Sequence, residues 1–270
     1  MTITATSELH DAWIRWHTAR EADLATDHGW LSLTGFHWLP DTATALDGLP
    51  GRWWAGDGVA TLAATATDGL TSVAPGRRAV EGTITGSVAE AGSLPWVRHG
   101  NRLVELVRRG GRYAIRVRDP RAPERAAFNG IPAFDVDPSW IRPGRFTPFP
   151  EPRAITVDTA RADLRQQIIA VGIVEISFPD GPRTVLATAG QGGRLNLAFR
   201  DRTNDGLTAP WRVVSTSIPI ETGALVVDFN RTVNPPFAFT AYGICPAPVP
   251  ANTLSLAVTA GELAPIRVTS

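Results

Sequence analysis

The 270-residue chain carries 26 basic and 26 acidic residues, and 43% of its residues are apolar. This neutral balance lacks the positive charge of proteins that bind nucleic acids or anionic membranes, so we expect neither partner. Every basic residue is an arginine. The composition therefore excludes Schiff-base chemistry and the lysine of a phosphate-binding loop.

The cysteine and histidine content argues against a metal or redox site. Cys245 is the single cysteine, which excludes an internal disulfide and a metal cage made of cysteines alone. The five histidines include no His-Glu-x-x-His pair. We expect no metal and no cofactor. The sequence has neither a secretion leader nor an apolar segment of membrane-spanning length, so we expect a cytoplasmic protein.

One amphipathic helix is predicted near the N-terminus, from Ser7 to Thr26. Leu9, Trp13 and Trp16 recur near helical spacing and form an apolar stripe. The aromatic stretch from Trp30 to Pro40 then alternates as a strand does, and we expect it to seat the helix on the core.

Short antiparallel strands are predicted from Asp41 to Arg102, where turn residues recur about every 8–12 residues. The clearest hairpin joins Leu103–Arg108 to Arg112–Arg118 through Gly110-Gly111, because two glycines favour a primed turn. A brief helical turn is expected from Ala122 to Phe128.

The proline-rich and aromatic segment Pro132–Pro152 is predicted to connect two β units. The predicted domains are an N-terminal helix packed on the core at 1–29, an N-terminal β unit at 30–150, and a C-terminal β unit with a proline-rich arm at 151–270.

Three further strands are predicted in the second half, at Ile168–Phe178, Arg183–Ala187 and Leu195–Phe199, since each is an apolar run between glycine-containing turns. A short helix is predicted at Asp163–Gln167.

The C-terminal stretch combines strands with fixed turns. Leu225–Val227 reads as a buried strand, and Asn234-Pro235-Pro236 imposes a corner because a residue before proline avoids the helical region. Strands are predicted at Phe237–Tyr242 and Leu254–Val258, on either side of a polyproline-like arm at Cys245–Pro250. The predicted fold class is mainly β, with antiparallel sandwich or barrel-like units and one N-terminal amphipathic helix.

Several distinctive segments in order resemble a bacterial family known as domain-of-unknown-function family 1684. They are GWLSLTGFHWL at 29–39, GGRYAIRVRDP at 110–120, DFNRTVNPPF at 228–237, CPAPVPAN at 245–252 and AGE at 260–262. The resemblance implies a fold and no established activity. Members also resemble forkhead-associated sandwiches weakly in their N-terminal half, an analogy that carries no function by itself.

The chain departs from the pattern of that family at two places. Phe237 stands where the family commonly has a cysteine, so the resemblance implies no cysteine pair with Cys245. At Thr208–Val213 the sequence TAPWRV replaces a glycine-rich segment with tyrosine, which puts any shared ligand contact there in doubt.

Polar side chains clustered around the proline corner and two nearby segments form the candidate ligand site. The set is Arg200, Asp201, Arg212, Asp228, Asn230, Arg231, Asn234 and Glu262. Guanidinium groups bind carboxylates and phosphates through paired hydrogen bonds, so a small anionic ligand is predicted. The alternative, which we favour, is that these side chains satisfy a buried structural corner.

Three functions therefore remain open. The first is a β protein that binds a small anionic molecule, which the arginine and amide content favours slightly. The second is a metal-independent hydrolase that uses Asp201, Asp228 or Glu262 as general base. The third is a structural or homo-oligomeric protein whose nine tryptophans form an interface.

Overall fold

The computed structural model describes residues 3–73, 76, 78–204 and 206–266, with side chains from Ser7 onward. Strands hold 45% of the chain and helices 17%, so the mainly β prediction is confirmed. Helix α1 spans Ile3–Leu24, which confirms the predicted N-terminal helix with a start four residues earlier.

The chain forms two compact units. Among the described residues, the sandwich unit comprises 23–128 and the barrel unit combines 3–22 with 129–266. Compact units do not show which segments fold on their own, so the domain boundaries predicted at 29/30 and 150/151 stay predictions.

The sandwich unit contains two antiparallel sheets and one short helix, α2 (Pro123–Ala126). Its strands are β1 (Leu33–Trp38), β2 (Thr44–Leu46), β3 (Leu49–Gly56), β4 (Val59–Ala64), β5 (Leu70–Ser72), β6 (Gly82–Gly86), β7 (Ser93–His99), β8 (Arg102–Arg109) and β9 (Arg112–Arg118). The strand orders are β2-β3-β4-β6 and β1-β9-β8-β7-β5. Trp53 and Leu62 of the first sheet share one buried cluster with Val104 and Ile115 of the second.

The predicted hairpin between β8 and β9 is confirmed. Gly110 and Gly111 have φ angles of 58° and 77°, which a primed two-residue turn requires and other residues rarely adopt. Arg109 pairs with Arg112 directly beside this turn. The predicted helical turn is α2, and the predicted strand near Trp30 is β1 preceded by one 3₁₀ turn.

The barrel unit contains one six-stranded antiparallel sheet. Its strands are β10 (Ile141–Asp158), β11 (Arg165–Ile176), β12 (Arg183–Ala189), β13 (Leu195–Phe199), β14 (Arg212–Ser215) and β15 (Ala224–Asp228), in the order β14-β13-β12-β11-β10-β15. The two edge strands approach each other, because Ser217 N donates to Val226 O at 2.8 Å just after β14. The sheet is therefore nearly closed around a core that includes Val174, Leu197 and Phe229.

The predicted connector is wrong in its second half, because the long strand β10 begins at Ile141. The register of β10 against β11 shifts between Pro148 and Arg153, so Pro150 and Pro152 fall where the ladder needs no amide donor. The predicted helix at Asp163–Gln167 is also wrong, since β11 starts at Arg165.

Two predicted C-terminal strands are absent from the described residues. Pro236–Ala238 forms a 3₁₀ turn, and the amides of Phe239 and Thr240 donate back to Pro236 O, so Phe237–Tyr242 is not extended. Leu254–Val258 joins no sheet. It runs beside the residues that follow β13, where Leu254 N donates to Arg200 O at 2.8 Å and Arg202 N donates to Leu256 O at 3.0 Å.

Candidate functional site

Arg212 and Asp201 form an ion pair inside the barrel unit. Both side chains are fully buried, and Arg212 Nη2 lies 2.8 Å from Asp201 Oδ2. The guanidinium also donates to the backbone carbonyls of Val258 and Ala260, at 2.8 and 2.7 Å. Burial lowers the pKa of Arg212, and the attraction of Asp201 opposes that shift. The pair therefore ties the C-terminal segment to strand β14.

Glu262 links helix α1 to the proline corner. Its Oε1 lies 3.2 Å from Arg20 Nε, and its Oε2 accepts a hydrogen bond from Asn234 N at 2.6 Å. Arg20 Nη2 donates to Asn234 O at 2.9 Å. Burial raises the pKa of Glu262, against the opposing attraction of Arg20. Both carboxylate oxygens thus serve groups of the protein itself.

We predict that Glu262 makes the stability of the protein depend on pH. Glu262→Gln should remove this contribution to the pH dependence. Because burial raises the pKa of the folded carboxyl above its ordinary 4.5, ionisation is harder in the folded state than in the unfolded state. The free energy of unfolding should fall as pH rises from that value through the raised pKa.

Urea unfolding of the wild-type protein and of Glu262→Gln across this pH range measures the effect. In the variant, the side-chain oxygen of glutamine still accepts a hydrogen bond from Asn234 N. The lowered pKa of buried His17 acts in both proteins and cancels in the difference. The free energy of unfolding of the wild-type protein minus that of Glu262→Gln should decrease as the pH rises. A difference that is constant or that rises with pH would contradict the assignment.

Asp228, Asn230 and Arg231 form a capped turn. Asp228 Oδ1 accepts from Asn230 N and Nδ2 at 3.1 and 3.0 Å, which makes Asp228 the cap of a 3₁₀ turn. Asn230 Oδ1 accepts from Asp137 N at 3.0 Å. Arg231 Nε lies 3.4 Å from Asp228 Oδ2, and its side chain is 40% exposed. Asp228 and Asn230 therefore serve the backbone of the corner.

The structure divides the eight predicted residues among local groups. Asp201 joins Arg212, Asn234 joins Glu262, and a contact of 3.3 Å from Arg212 Nη1 to Glu262 O links these two pairs. Arg200 lies apart, with its guanidinium 5.2 Å from the centre of the Trp211 ring. The ligand-binding role of the set stays a prediction.

A cavity of about 210 Å³ lies where the arm, Cys245–Pro250, covers one face of the six-stranded sheet. We call it the arm pocket. It is lined by Ile168, Leu186, Thr188, Asn196, Ala198, Val213, Pro235, Cys245, Pro246, Ala247, Pro248, Val249 and Asn252. The arm is held by backbone hydrogen bonds, from Ala247 N to Asp158 O at 2.8 Å and from Ala160 N to Cys245 O at 2.9 Å.

Asn252 holds the end of the arm between strands β12 and β13, at the point where these two strands stop pairing with each other. Strands β12 and β13 pair only at Thr188 and Ala189. Beyond that point, Asn252 Oδ1 accepts from Leu186 N, and its Nδ2 donates to Leu186 O and Ala198 O, at 2.8, 3.0 and 2.8 Å. The amide side chain thus replaces missing strand pairing, and it places the arm over the sheet.

The arm pocket was not predicted, although the sequence contains a signal for it. Leu195, Leu197 and Phe199 of β13 are buried in the core, so Ala198 points to the opposite face. Ile168, Leu186 and Val213 are also apolar on the pocket side. Apolar residues on both faces of a strand indicate that both faces are covered.

A family model described as "Protein of unknown function (DUF1684)" matches residues 126–263, just over half of the chain. The chain belongs to this family. The DUF1684 segment contains all eight predicted residues and every residue that lines the arm pocket. The resemblance read from the sequence is therefore confirmed.

Solved structures similar to this DUF1684 protein over part of the chain include one of an archaeal protein. It is the solution NMR structure of an uncharacterized protein of Haloarcula marismortui, with 26% sequence identity and a TM-score of 0.44. The match covers 52% of this chain and 80% of the archaeal one. No curated protein matches.

The described residues hold neither a metal-binding cluster nor a membrane-spanning helix. They contain no group of three or more His, Cys, Asp or Glu side chains that could hold a metal ion. None of their helices is both long and apolar enough to cross a membrane.

Proposed function

We propose that this DUF1684 protein binds a small molecule in the arm pocket. The observation that carries the proposal is the cavity of about 210 Å³ between the sheet and the arm. A concave, mainly apolar pocket with a few polar groups is the usual form of a small-molecule site. A cavity of roughly 150 Å³ is enough to hold benzene. The arm pocket is therefore large enough for a ligand of one or two rings.

The lining favours an uncharged ligand. Its described residues include no charged side chain. Asn252 uses its amide on the backbone, and Asn196 Oδ1 accepts from Ser215 Oγ at 2.7 Å. The hydroxyl of Thr188 is a further polar group at the lining. We propose a small, largely apolar molecule that makes one or two hydrogen bonds.

The anionic ligand predicted from the sequence has less support. Arg212 directs its Nη donors at Asp201 and at backbone carbonyls within the core. Arg231 and Arg200 are both partly exposed; Arg231 pairs with Asp228, and the guanidinium of Arg200 lies against the Trp211 ring. The carboxylates proposed as a hydrolytic base likewise accept hydrogen bonds from the protein, as Glu262 does from Asn234. These contacts favour binding over hydrolysis.

A thermal shift assay with indole and toluene as probes tests the proposal. Either probe should raise the melting temperature of the wild-type protein by about 2–4 °C when its concentration is roughly five times its Kd. Ala198→Leu places a larger side chain in the lining of the arm pocket, and the shift should disappear.

Ala189→Leu is the matched control, because Ala189 is exposed on the neighbouring strand β12 and does not line the arm pocket. This variant should keep the full shift. Equal shifts in both variants would place the probe elsewhere and refute the proposal. The absence of any shift at probe concentrations up to solubility would refute it as well.

A further inference from the structure

The pocket side of the six-stranded sheet carries a polar row of side chains beside an apolar row. Asn196 of β13 pairs with Thr188 of β12 and with Ser215 of β14, so these three side chains share one face. Two residues further along β13, Ala198 pairs with Val213. The residues of these rows that line the arm pocket are Thr188, Asn196, Ala198 and Val213. The arm pocket therefore has a polar end and an apolar body.

Asn196 is the residue of the polar row whose amide is only half used. Its Oδ1 accepts a hydrogen bond from Ser215 Oγ at 2.7 Å, and a Cβ at Gly190 would lie 3.0 Å from this same oxygen. Neither Ser215 nor Gly190 lines the arm pocket, so the oxygen is engaged outside it. Asn196 Nδ2 is the other branch of the amide, and it has no hydrogen-bond partner among the described residues. This nitrogen is therefore available to a ligand.

Two other polar side chains of the lining are engaged within the protein. The amide of Asn252 bonds Leu186 N through its oxygen, and the carbonyls of Leu186 and Ala198 through its nitrogen. The hydroxyl of Thr188 donates to the carbonyl oxygen of Asn196 at 3.4 Å. An amide nitrogen donates hydrogen bonds and accepts none. The polar end of the arm pocket therefore favours a ligand that carries a hydrogen-bond acceptor.

We infer that the arm pocket selects uncharged carbonyl compounds, and that Asn196 is the residue that determines this specificity. The carbonyl oxygen of the ligand accepts a hydrogen bond from Asn196 Nδ2, and the apolar part of the ligand packs against Ala198 and Val213 beneath the arm. Ketones, esters and amides are the matching classes. A carboxylate does not match, because the lining offers no cation to compensate a buried charge. This inference rests on the proposed function and adds the chemical class of the ligand.

Acetophenone and α-methylstyrene test this inference, because α-methylstyrene has a CH₂ group where acetophenone has its carbonyl oxygen. Titration of the full-length ¹⁵N-labelled protein measures both dissociation constants from the shifts of the Ala198 and Val213 amides. Asn196→Val removes the donor, so acetophenone should bind about fivefold more weakly to this variant, as expected for the loss of one hydrogen bond. α-Methylstyrene should bind at least as tightly as it does to the wild-type protein.

Asn196→Asp is a second variant that keeps the test decisive if Asn196→Val does not fold. The aspartate retains the size of the side chain and an acceptor for Ser215 Oγ, but it has an oxygen in place of Nδ2. The ratio of the two dissociation constants should again change against acetophenone. Asn129→Val is the matched control, because Asn129 is exposed in the barrel unit and does not line the arm pocket. Both compounds should bind to it as they bind to the wild-type protein.

The two compounds separate a failure of this inference from a failure of the proposed function. If both bind to the wild-type protein but the Asn196 variants change their affinities equally, or change neither, the inference is overturned and the proposed function stands. If neither compound gives saturable shifts at Ala198 and Val213, the proposed function fails and the inference fails with it. A selective loss of acetophenone affinity supports both.

Discussion

Replacing Arg212 by alanine should lower the free energy of unfolding by about 3–5 kcal/mol, because it leaves Asp201 as an uncompensated buried charge. The guanidinium is fully buried and lies 2.8 Å from that carboxylate. The substitution also removes donors from the carbonyls of Val258 and Ala260. Urea unfolding followed by tryptophan fluorescence measures the loss.

Arg231→Ala is the matched control for this experiment. Arg231 also pairs with an aspartate, Asp228, but its side chain is 40% exposed. Solvent screens such a pair, so the control should lose less than about 1 kcal/mol. If Arg212→Ala and Arg231→Ala lost the same small amount, the structural role assigned to the buried pair would be wrong.

Asn252→Ala should lower the free energy of unfolding by about 2–4 kcal/mol, since it leaves backbone groups of two strands without partners. Asn252 is 3% exposed, and its amide bonds Leu186 N, Leu186 O and Ala198 O. Urea unfolding measures the stability. Amide hydrogen exchange at Leu186 reports the local opening, and it should become faster than in the wild-type protein.

Asn129→Ala controls for the loss of an amide side chain, because Asn129 is exposed in the same unit. A surface substitution of this kind should change stability by less than about 0.5 kcal/mol. Unchanged stability and unchanged exchange at Leu186 in Asn252→Ala would contradict the bridging role of this side chain.

The elements that could be predicted from the sequence were those whose conformation is determined by a few neighbouring residues. Gly110 and Gly111 supply two positive φ angles, so the β8–β9 hairpin follows from the sequence alone. The strand predicted at Leu195–Phe199 was also found with those bounds, because its alternating apolar residues lie between glycine-containing turns.

The wrong predictions involved prolines and alternating residues whose conformation depends on distant partners. Pro143 reads as part of a connector, yet it lies in β10 opposite Val226. Phe237–Tyr242 alternates as a strand does, but Pro236 begins a 3₁₀ turn there. Local alternation could not reveal that no neighbouring strand was available to pair with this segment.

The site could be predicted in composition but not in arrangement. The sequence placed Arg212, Asp201 and Glu262 in one candidate set, and the structure links them through short contacts. The arm pocket depends on a long-range backbone contact that no local pattern encodes, from Ala247 N to Asp158 O. Its one local signal is the apolar side chains on the pocket side of the sheet.

The most direct test of the proposed function is to locate a bound probe by intermolecular nuclear Overhauser effects. Indole is added to the methyl-labelled full-length protein. We expect effects from the ring protons to the methyl groups of Ile168, Leu186 and Val213, which line the arm pocket from three strands. Effects confined to exposed residues such as Ile218 and Ile220, or no effects at all, would contradict binding in the arm pocket.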